Sequence, residues 1–177
     1  MSRMGIREDV YVTEAGGGRL AELYARHAAE AIRLAYMLTG DRVLAEDLVQ
    51  DAFVKLAGRL VHLRDPDAFA AYLRRTVVNL TNSYFRRKRL ERAYLKRTAA
   101  EPAGTAEAPD TGRRDELWSH LQRLPVRQRT VVVLRIYEDL PEQRVAEILG
   151  CRPGTVRSLL SRGLAELRVQ VRSDEDG

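Results

Sequence analysis

Residues 140–167 read LPEQRVAEILGCRPGTVRSLLSRGLAEL, and the spacing within this stretch decides the fold. Leu140 and Pro141 start a short helix in which Val145, Ala146 and Leu149 pack inward. Gly150 breaks it, and Pro153 opens a second helix with Val156, Leu160, Leu164 and Leu167 at helical spacing. Ala146 is the small residue that two closely crossing helices require, and Gly150 stands where the backbone must turn. The pattern predicts a helix-turn-helix. From the start of its second helix project Arg152, Thr155, Arg157, Ser158, Ser161 and Arg162. Arginine pairs with guanine edges or phosphates, and serine or threonine serves either. Duplex DNA is the expected ligand; a plain helical hairpin with solvated arginines is the alternative.

Just upstream, Leu117, Trp118, Leu121 and Leu124 mark a helix that stops before Pro125. Pro125 opens the next helix at its first turn, with Val131, Val132, Leu134 and Tyr137 as apolar positions. Residues 98–112, TAAEPAGTAEAPDTG, have no periodicity and contain Pro102, Gly104, Pro109 and Gly112, the composition of a flexible linker. Before them lie three amphipathic helices. The first carries Leu20, Leu23, Tyr24, His27, Ala31, Leu34, Ala35 and Leu38 on one face and ends at Gly40. Asp41 caps the second, whose stripe is Leu44, Leu48, Val49, Ala52, Phe53 and Leu56, closed by Gly58. Asp65 and Pro66 start the third, with Phe69, Leu73, Thr76, Val77, Leu80 and Tyr84 as its stripe and helix-compatible residues as far as Arg97; Tyr84 and Phe85 are expected in the core. No strand pattern competes. The fold class is all-α, a three-helix-type bundle and a helix-turn-helix domain joined by a tether.

Composition limits the function. Of the 177 residues 45% are hydrophobic and 31% charged, the balance of a soluble globular chain. No apolar run approaches the roughly 20 residues that span a bilayer, and MSRMGIREDVYVTEAGGG lacks the apolar core of a secretory signal, so a cytoplasmic protein without membrane insertion is expected. The single cysteine, Cys151, leaves no internal disulfide or multi-cysteine metal site, and no cofactor is called for. Net charge is +5, unevenly placed: residues 84–97 carry seven basic side chains against Glu91 alone. Local concentration of this kind suits a polyanion, because each neutralised phosphate releases counterions. A solvated helix face is the plain alternative.

These segments together carry a resemblance that covers nearly the whole chain. LPVRQRTVVVLRIYEDLPEQRVAEILGCRPGTVRSLLSRGLAELR (124–168) resembles the fourth conserved region of the extracytoplasmic-function sigma factors, and AEDLVQDAFVKLA (45–57) their second. AYLRRTVVNLTNSYFRRKR (71–89) is similar to the segment by which that family melts and reads the upstream promoter element. The resemblance implies a transcription initiation factor that binds bacterial core RNA polymerase and promoter DNA, with the β′ clamp helices and the β flap as docking sites and an anti-sigma factor as a further partner. On the second helix Asp47, Gln50, Asp51 and Val54 lie one turn apart opposite Leu48 and Phe53, where acids would repel DNA and suit a protein partner. The matching helix of the family docks on the clamp.

Promoter opening needs stacking, base-edge hydrogen bonds and phosphate contacts. Tyr72, Asn79, Asn82 and Ser83, followed by Arg86, Arg87, Lys88 and Arg89, offer all three on one helix. Asn79 matches a position where the family places asparagine near an extruded base, and the loop before Asp67 resembles its specificity loop. Two departures stand out: Tyr72 replaces the commoner tryptophan, and RSLLSRGLAEL (157–167) stands where many members have a basic residue before an RAR-like run. The implied division is a disordered segment 1–18, a polymerase- and −10-binding domain 19–97, a linker 98–112, a −35-binding domain 113–172 and an acidic, disordered tail 173–177.

An enzyme is disfavoured. His27 lies on an apolar stripe, His62 in a loop and His120 on a helix, none with a paired acid or nucleophile at meaningful spacing, and no nucleotide-binding glycine pattern is present. The alternative, a stand-alone helix-turn-helix regulator, usually dimerises and reads a palindrome, whereas this chain has no heptad stripe for pairing.

Overall fold

A computed structural model describes residues 14–57, 66–98 and 112–175, and every described element is helical. Seven α-helices follow one another: α1 Glu14–Thr39, α2 Arg42–Ala57, α3 Pro66–Thr98, α4 Gly112–Arg123, α5 Val126–Val132, α6 Glu142–Leu149 and α7 Pro153–Glu175, with a π-helical turn, Val133–Tyr137, continuing α5.

Helices α1, α2 and α3 pack on one another around Leu34, Ala35, Val49, Ala52, Phe69 and Val77, all nearly or fully buried. Phe53 sits between Tyr24 and Phe69, with ring centroids 4.9 and 5.6 Å away. The expected boundary between α1 and α2 is present in detail. Gly40 takes the left-handed conformation (φ +77°), and the Asp41 carboxylate accepts the Leu44 N–H at 3.0 Å, satisfying a donor that the helix start leaves free. The second unit is α5 and α6 laid on α7, with Val131, Val133, Leu134, Val145 and Val156 inside.

The two units also pack against each other. Helix α4 packs on α1, α3 packs on α5 and α6, and one apolar cluster runs through both. At the seam the Tyr36 and Trp118 rings stack at 5.0 Å, the Gln122 amide donates to the Met37 carbonyl at 3.0 Å, and Arg74 pairs with Glu138 at 2.5 Å.

Several expectations need correction. Helix α1 already begins at Glu14, so the last five residues of the segment expected to be disordered are helical; residues 1–13 lie outside the described residues. The acidic tail is not all disordered either: α7 continues to Glu175, and Asp174 pairs with His120 at 3.3 Å, giving that buried histidine the acid that spacing did not suggest. The two ends of the expected linker, Thr98 and Gly112, belong to α3 and α4, and residues 99–111 lie outside the described residues, as do Gly58, the 59–64 loop, His62 and the capping Asp65.

Tyr84 and Phe85 are half-buried rather than core: their rings meet edge to face at 5.4 Å, Lys88 lies over Tyr84 at 5.5 Å, and the Arg129 guanidinium lies over Phe85 at 5.3 Å. Tyr137 is exposed, and Val133, absent from the expected stripe, is buried instead. The π-helical turn causes this: Glu138 N–H reaches back to the Val133 carbonyl, five residues, so the inward face advances out of the 3.6-residue register. On α6 it is Ile148 that is buried, with Leu149 only partly so.

Candidate nucleic-acid interface

The helix-turn-helix owes its shape to two glycines and an alanine. Gly150 caps α6 in the left-handed conformation (φ 60°, ψ 41°), where its N–H and that of Cys151 both turn back to the Ala146 carbonyl. Three residues after Gly150, α7 starts at Pro153, whose missing N–H costs nothing in a first turn. Val156 is fully buried and fixes which side of α7 faces inward. Consequently Arg152, Arg157, Ser158, Ser161 and Arg162 are exposed and Thr155 is half-buried. Farther along, Gly163 lets α7 approach α5, because a Cβ there would lie 2.9 Å from the Val132 side chain.

Two of the exposed side chains are held. Arg162 donates to the Ser158 hydroxyl at 3.3 Å, one turn away. Arg157 donates through Nε and Nη2 to the two carboxylate oxygens of Glu142, at 3.2 and 3.0 Å. Glu142 is on α6, fifteen residues earlier and across the turn, so no helical period in the sequence points to it.

The structure places the second candidate surface on α3. Tyr72 is 48% exposed, Asn79 is exposed, and Asn82 and Ser83 are half-buried. The basic run follows on the same helix: Arg86, Arg87 and Arg89 are exposed, and none forms an ion pair among the described residues. Unpaired guanidinium groups at this density remain available to phosphates. These α3 residues do not all share one surface. Tyr72 lines a cleft of about 270 Å³ with Ala68, Ala71 and Arg75, facing Arg144, Glu147 and Ile148 of α6. Asn82 lines a cleft of about 470 Å³ with Phe85, Arg86 and Arg89, facing Val126, Arg127 and Thr130 of α5. Asn79 lines neither.

Sequence reasoning missed Arg127 and Arg144, because nothing in a periodic pattern says that the helix-turn-helix unit faces α3. It also missed Arg129, which is buried at the seam and donates to the Gln122 side-chain oxygen. Burial lowers its pKa to about 10, so it keeps its charge at neutral pH, with the Phe85 face and Gln122 compensating part of its lost hydration.

On α2, Asp47, Gln50, Asp51 and Val54 are all exposed, Val54 at 74%, while Leu48, Val49, Ala52 and Phe53 on the other side are buried. Neither aspartate has an ion-pair partner among the described residues. An acidic strip with one exposed valine therefore stands apart from the basic surface of α3.

Comparison with known proteins matches each of the two helical units to a family region. Residues 23–91 match the family described as Sigma-70 region 2, and residues 114–167 match Sigma-70, region 4. The chain is 35% identical over 151 residues to the RNA polymerase sigma-E factor of Streptomyces coelicolor, covering 85% of each chain. It is 34% identical over 153 residues to the ECF RNA polymerase sigma factor SigE of Mycolicibacterium smegmatis, covering 83% of this chain and 59% of that one. Among solved structures, the sigma factor RpoE of Bartonella quintana, crystallised with the anti-sigma factor NepR, superposes with a TM-score of 0.66 at 21% identity, covering 92% of this chain and 99% of that chain, a likeness of fold. With a region 2 bundle, a region 4 helix-turn-helix and relatives of this identity along most of its length, the chain belongs to the extracytoplasmic-function sigma factors of the sigma-70 family.

Proposed function

We propose that this sigma factor works by a division between three surfaces, each assigned to named residues. The protein is a transcription initiation factor: it binds core RNA polymerase and directs promoter recognition, DNA melting and initiation. Within it, residues 19–97 form the polymerase- and −10-binding domain, residues 113–172 the −35-binding domain, and residues 98–112 their connection. Asp47, Gln50, Asp51 and Val54 dock on the β′ clamp helices, and the helix-turn-helix unit is held near the β flap. Tyr72, Asn79, Asn82 and Ser83 receive the opened strand, while Arg86, Arg87, Lys88 and Arg89 hold its phosphates. Arg152, Thr155, Arg157, Ser158, Ser161 and Arg162 lie in the major groove of the upstream element. The protein carries out no chemistry itself and acts in the cytoplasm; among the described residues no helix is long and apolar enough to cross a membrane. An anti-sigma factor is a further partner, supported by the complex in which the Bartonella quintana relative was solved.

The observation that carries this reading is the segregation of charge: Asp47 and Asp51 on α2, without ion-pair partners among the described residues, against the unpaired Arg86, Arg87 and Arg89 of α3 and the exposed Arg157 and Arg162 of α7. A face of unpaired acids weakens phosphate binding, so the acidic side of α2 suits a protein partner and the basic sides of α3 and α7 a nucleic acid. Run-off transcription with bacterial core polymerase and a library of promoter fragments tests it, with the Asp47→Arg, Asp51→Arg double variant alongside. Transcripts that depend on the protein and vanish with the variant, while its helix content stays unchanged, are the expected result. A variant that still binds core polymerase and still directs transcription removes α2 as the docking face.

A further inference from the structure

Arg157 is 76% exposed at its side chain, and a long exposed side chain ordinarily samples many rotamers. Here it is fixed in a fork: Nε to one oxygen of Glu142 and Nη2 to the other, at 3.2 and 3.0 Å. Both carboxylate oxygens are engaged, so the plane of the guanidinium is set as well as its position. The two arginines beside it are different. Arg162 has only the Ser158 hydroxyl, and Arg152 has no side-chain partner among the described residues.

We propose that Glu142 is a positioning residue for promoter readout, holding Arg157 so that its outer edge meets a guanine in the upstream element. The idea rests on the reading of Arg157 as a base contact. A guanidinium carries five N–H donors. The fork uses two of them along the Nε side, which leaves three on the Nη1 and Nη2 edge. That outer edge has the pair of parallel donors needed for guanine O6 and N7.

Stability accounts for little of the carboxylate: an ion pair whose arginine is 76% exposed contributes little to folding, and an acid in the first turn of α6 adds only a small dipole interaction. A carboxylate beside a DNA-binding helix also repels phosphate, so Glu142 lowers general affinity for DNA. Orientation of Arg157 is what it offers in return, because a planar group fixed before binding loses less conformational freedom when it pairs. The same geometry sorts the three arginines: Arg157 reads a base, while Arg162, with a single hydrogen bond to Ser158, and Arg152, with no side-chain partner among the described residues, hold phosphates. Glu142 belongs to α6 and therefore makes the first helix of the motif a determinant of specificity without touching DNA.

The test uses full-length protein with bacterial core polymerase and the upstream duplex that the wild-type holoenzyme selects from a random library. Affinities are measured for every single base-pair change and for 7-deazaguanine at each guanine, with wild type, Glu142→Gln, Arg157→Ala and the double variant. Arg157→Ala is expected to flatten discrimination at one guanine. Glu142→Gln should lower discrimination at that same position about tenfold, raise affinity for scrambled duplex slightly, and add nothing in the Arg157→Ala background. Loss of the 7-deazaguanine penalty in Glu142→Gln would locate the effect at N7. Thermal melting of Glu142→Gln should match wild type, and Glu142→Ala repeats the comparison with a side chain that cannot hydrogen-bond. Position-specific loss with Arg157→Ala but full discrimination with both Glu142 variants overturns the positioning role while leaving Arg157 a base reader. Uniform weakening across all sequences with Arg157→Ala overturns the base-reading role, and the proposal with it.

Discussion

Gly163 illustrates what one residue decides. It is buried in the middle of α7, and a Cβ at its position would meet Val132 Cγ2 at 2.9 Å and the Gln128 Cβ at 3.5 Å. Alanine is the better helix former by about 1 kcal/mol, but overpacking a close helix crossing costs about 1–3 kcal/mol, and Val132 is itself buried and β-branched, with little room to turn. Gly163→Ala should therefore lower stability by roughly 1 kcal/mol, seen as a fall of a few degrees in the melting temperature by circular dichroism; an unchanged or raised Tm would mean that α5 and α7 separate freely. A glycine within this helical pattern is visible in the sequence. Its partner on α5 is not, because the contact joins residues 31 positions apart.

At the level of elements, local chemistry was decisive wherever the chain punctuates itself. The Asp41 cap, the left-handed Gly40 and Gly150, and the proline at the start of α7 lie where the sequence puts them, because each responds to atoms within four residues. The turn between α6 and α7 can be tested by itself. Nothing lies within 4 Å of a Cβ built on Gly150, so Gly150→Ala introduces no clash and only the strain of φ +60°. A loss of about 1–2 kcal/mol is expected, read by urea denaturation, with promoter selectivity unchanged because no DNA-facing side chain has moved. Altered selectivity would mean that the turn adjusts by reorienting α7.

Elements also mislead where they depart from a regular period. The π-helical turn at Val133–Tyr137 exchanges Val133 for Tyr137 in the core, a change that a fixed 3.6-residue period cannot express. Likewise the buried side of α3 is wider than its single expected stripe, taking in Val78 and Thr81, because α3 has α1 and α2 on one side and α5 and α6 on another.

For the whole molecule the ion pair between Arg74 and Glu138 is the critical contact, since it joins α3 to the end of the π-helical turn with side chains only 27% and 14% exposed. Removing one member leaves the other charge without a partner in a poorly solvated seam. Arg74→Met should cost about 2 kcal/mol, less than the full penalty of a completely buried pair because the arginine is partly solvated. The sole tryptophan provides a second readout. Trp118 is stacked on Tyr36 across the same seam, so Arg74→Met should shift its emission to the red and make it easier to quench if the units part. Lost stability with unchanged emission would mean that the α1 and α4 contact holds without the ion pair.

The all-α class, the positions of most helices, the helix-turn-helix and the exposure of its basic side chains are legible in the amino-acid sequence alone. Each of these follows from periodicity, from capping groups or from glycine and proline conformation, which act over a few residues. An acidic face on the second helix and a basic run on the third are legible there too, and the proposed docking and DNA-binding surfaces rest on that separation. Only the tertiary structure decided that the two units share one core, that Tyr72 and Asn82 open onto clefts lined by the other unit, and that Asp174 reaches His120. It alone brought Glu142 to Arg157 and Gln122 to Arg129. These contacts depend on how whole helices cross, and crossing is set by the summed shapes of many side chains, so no short-range pattern encodes it.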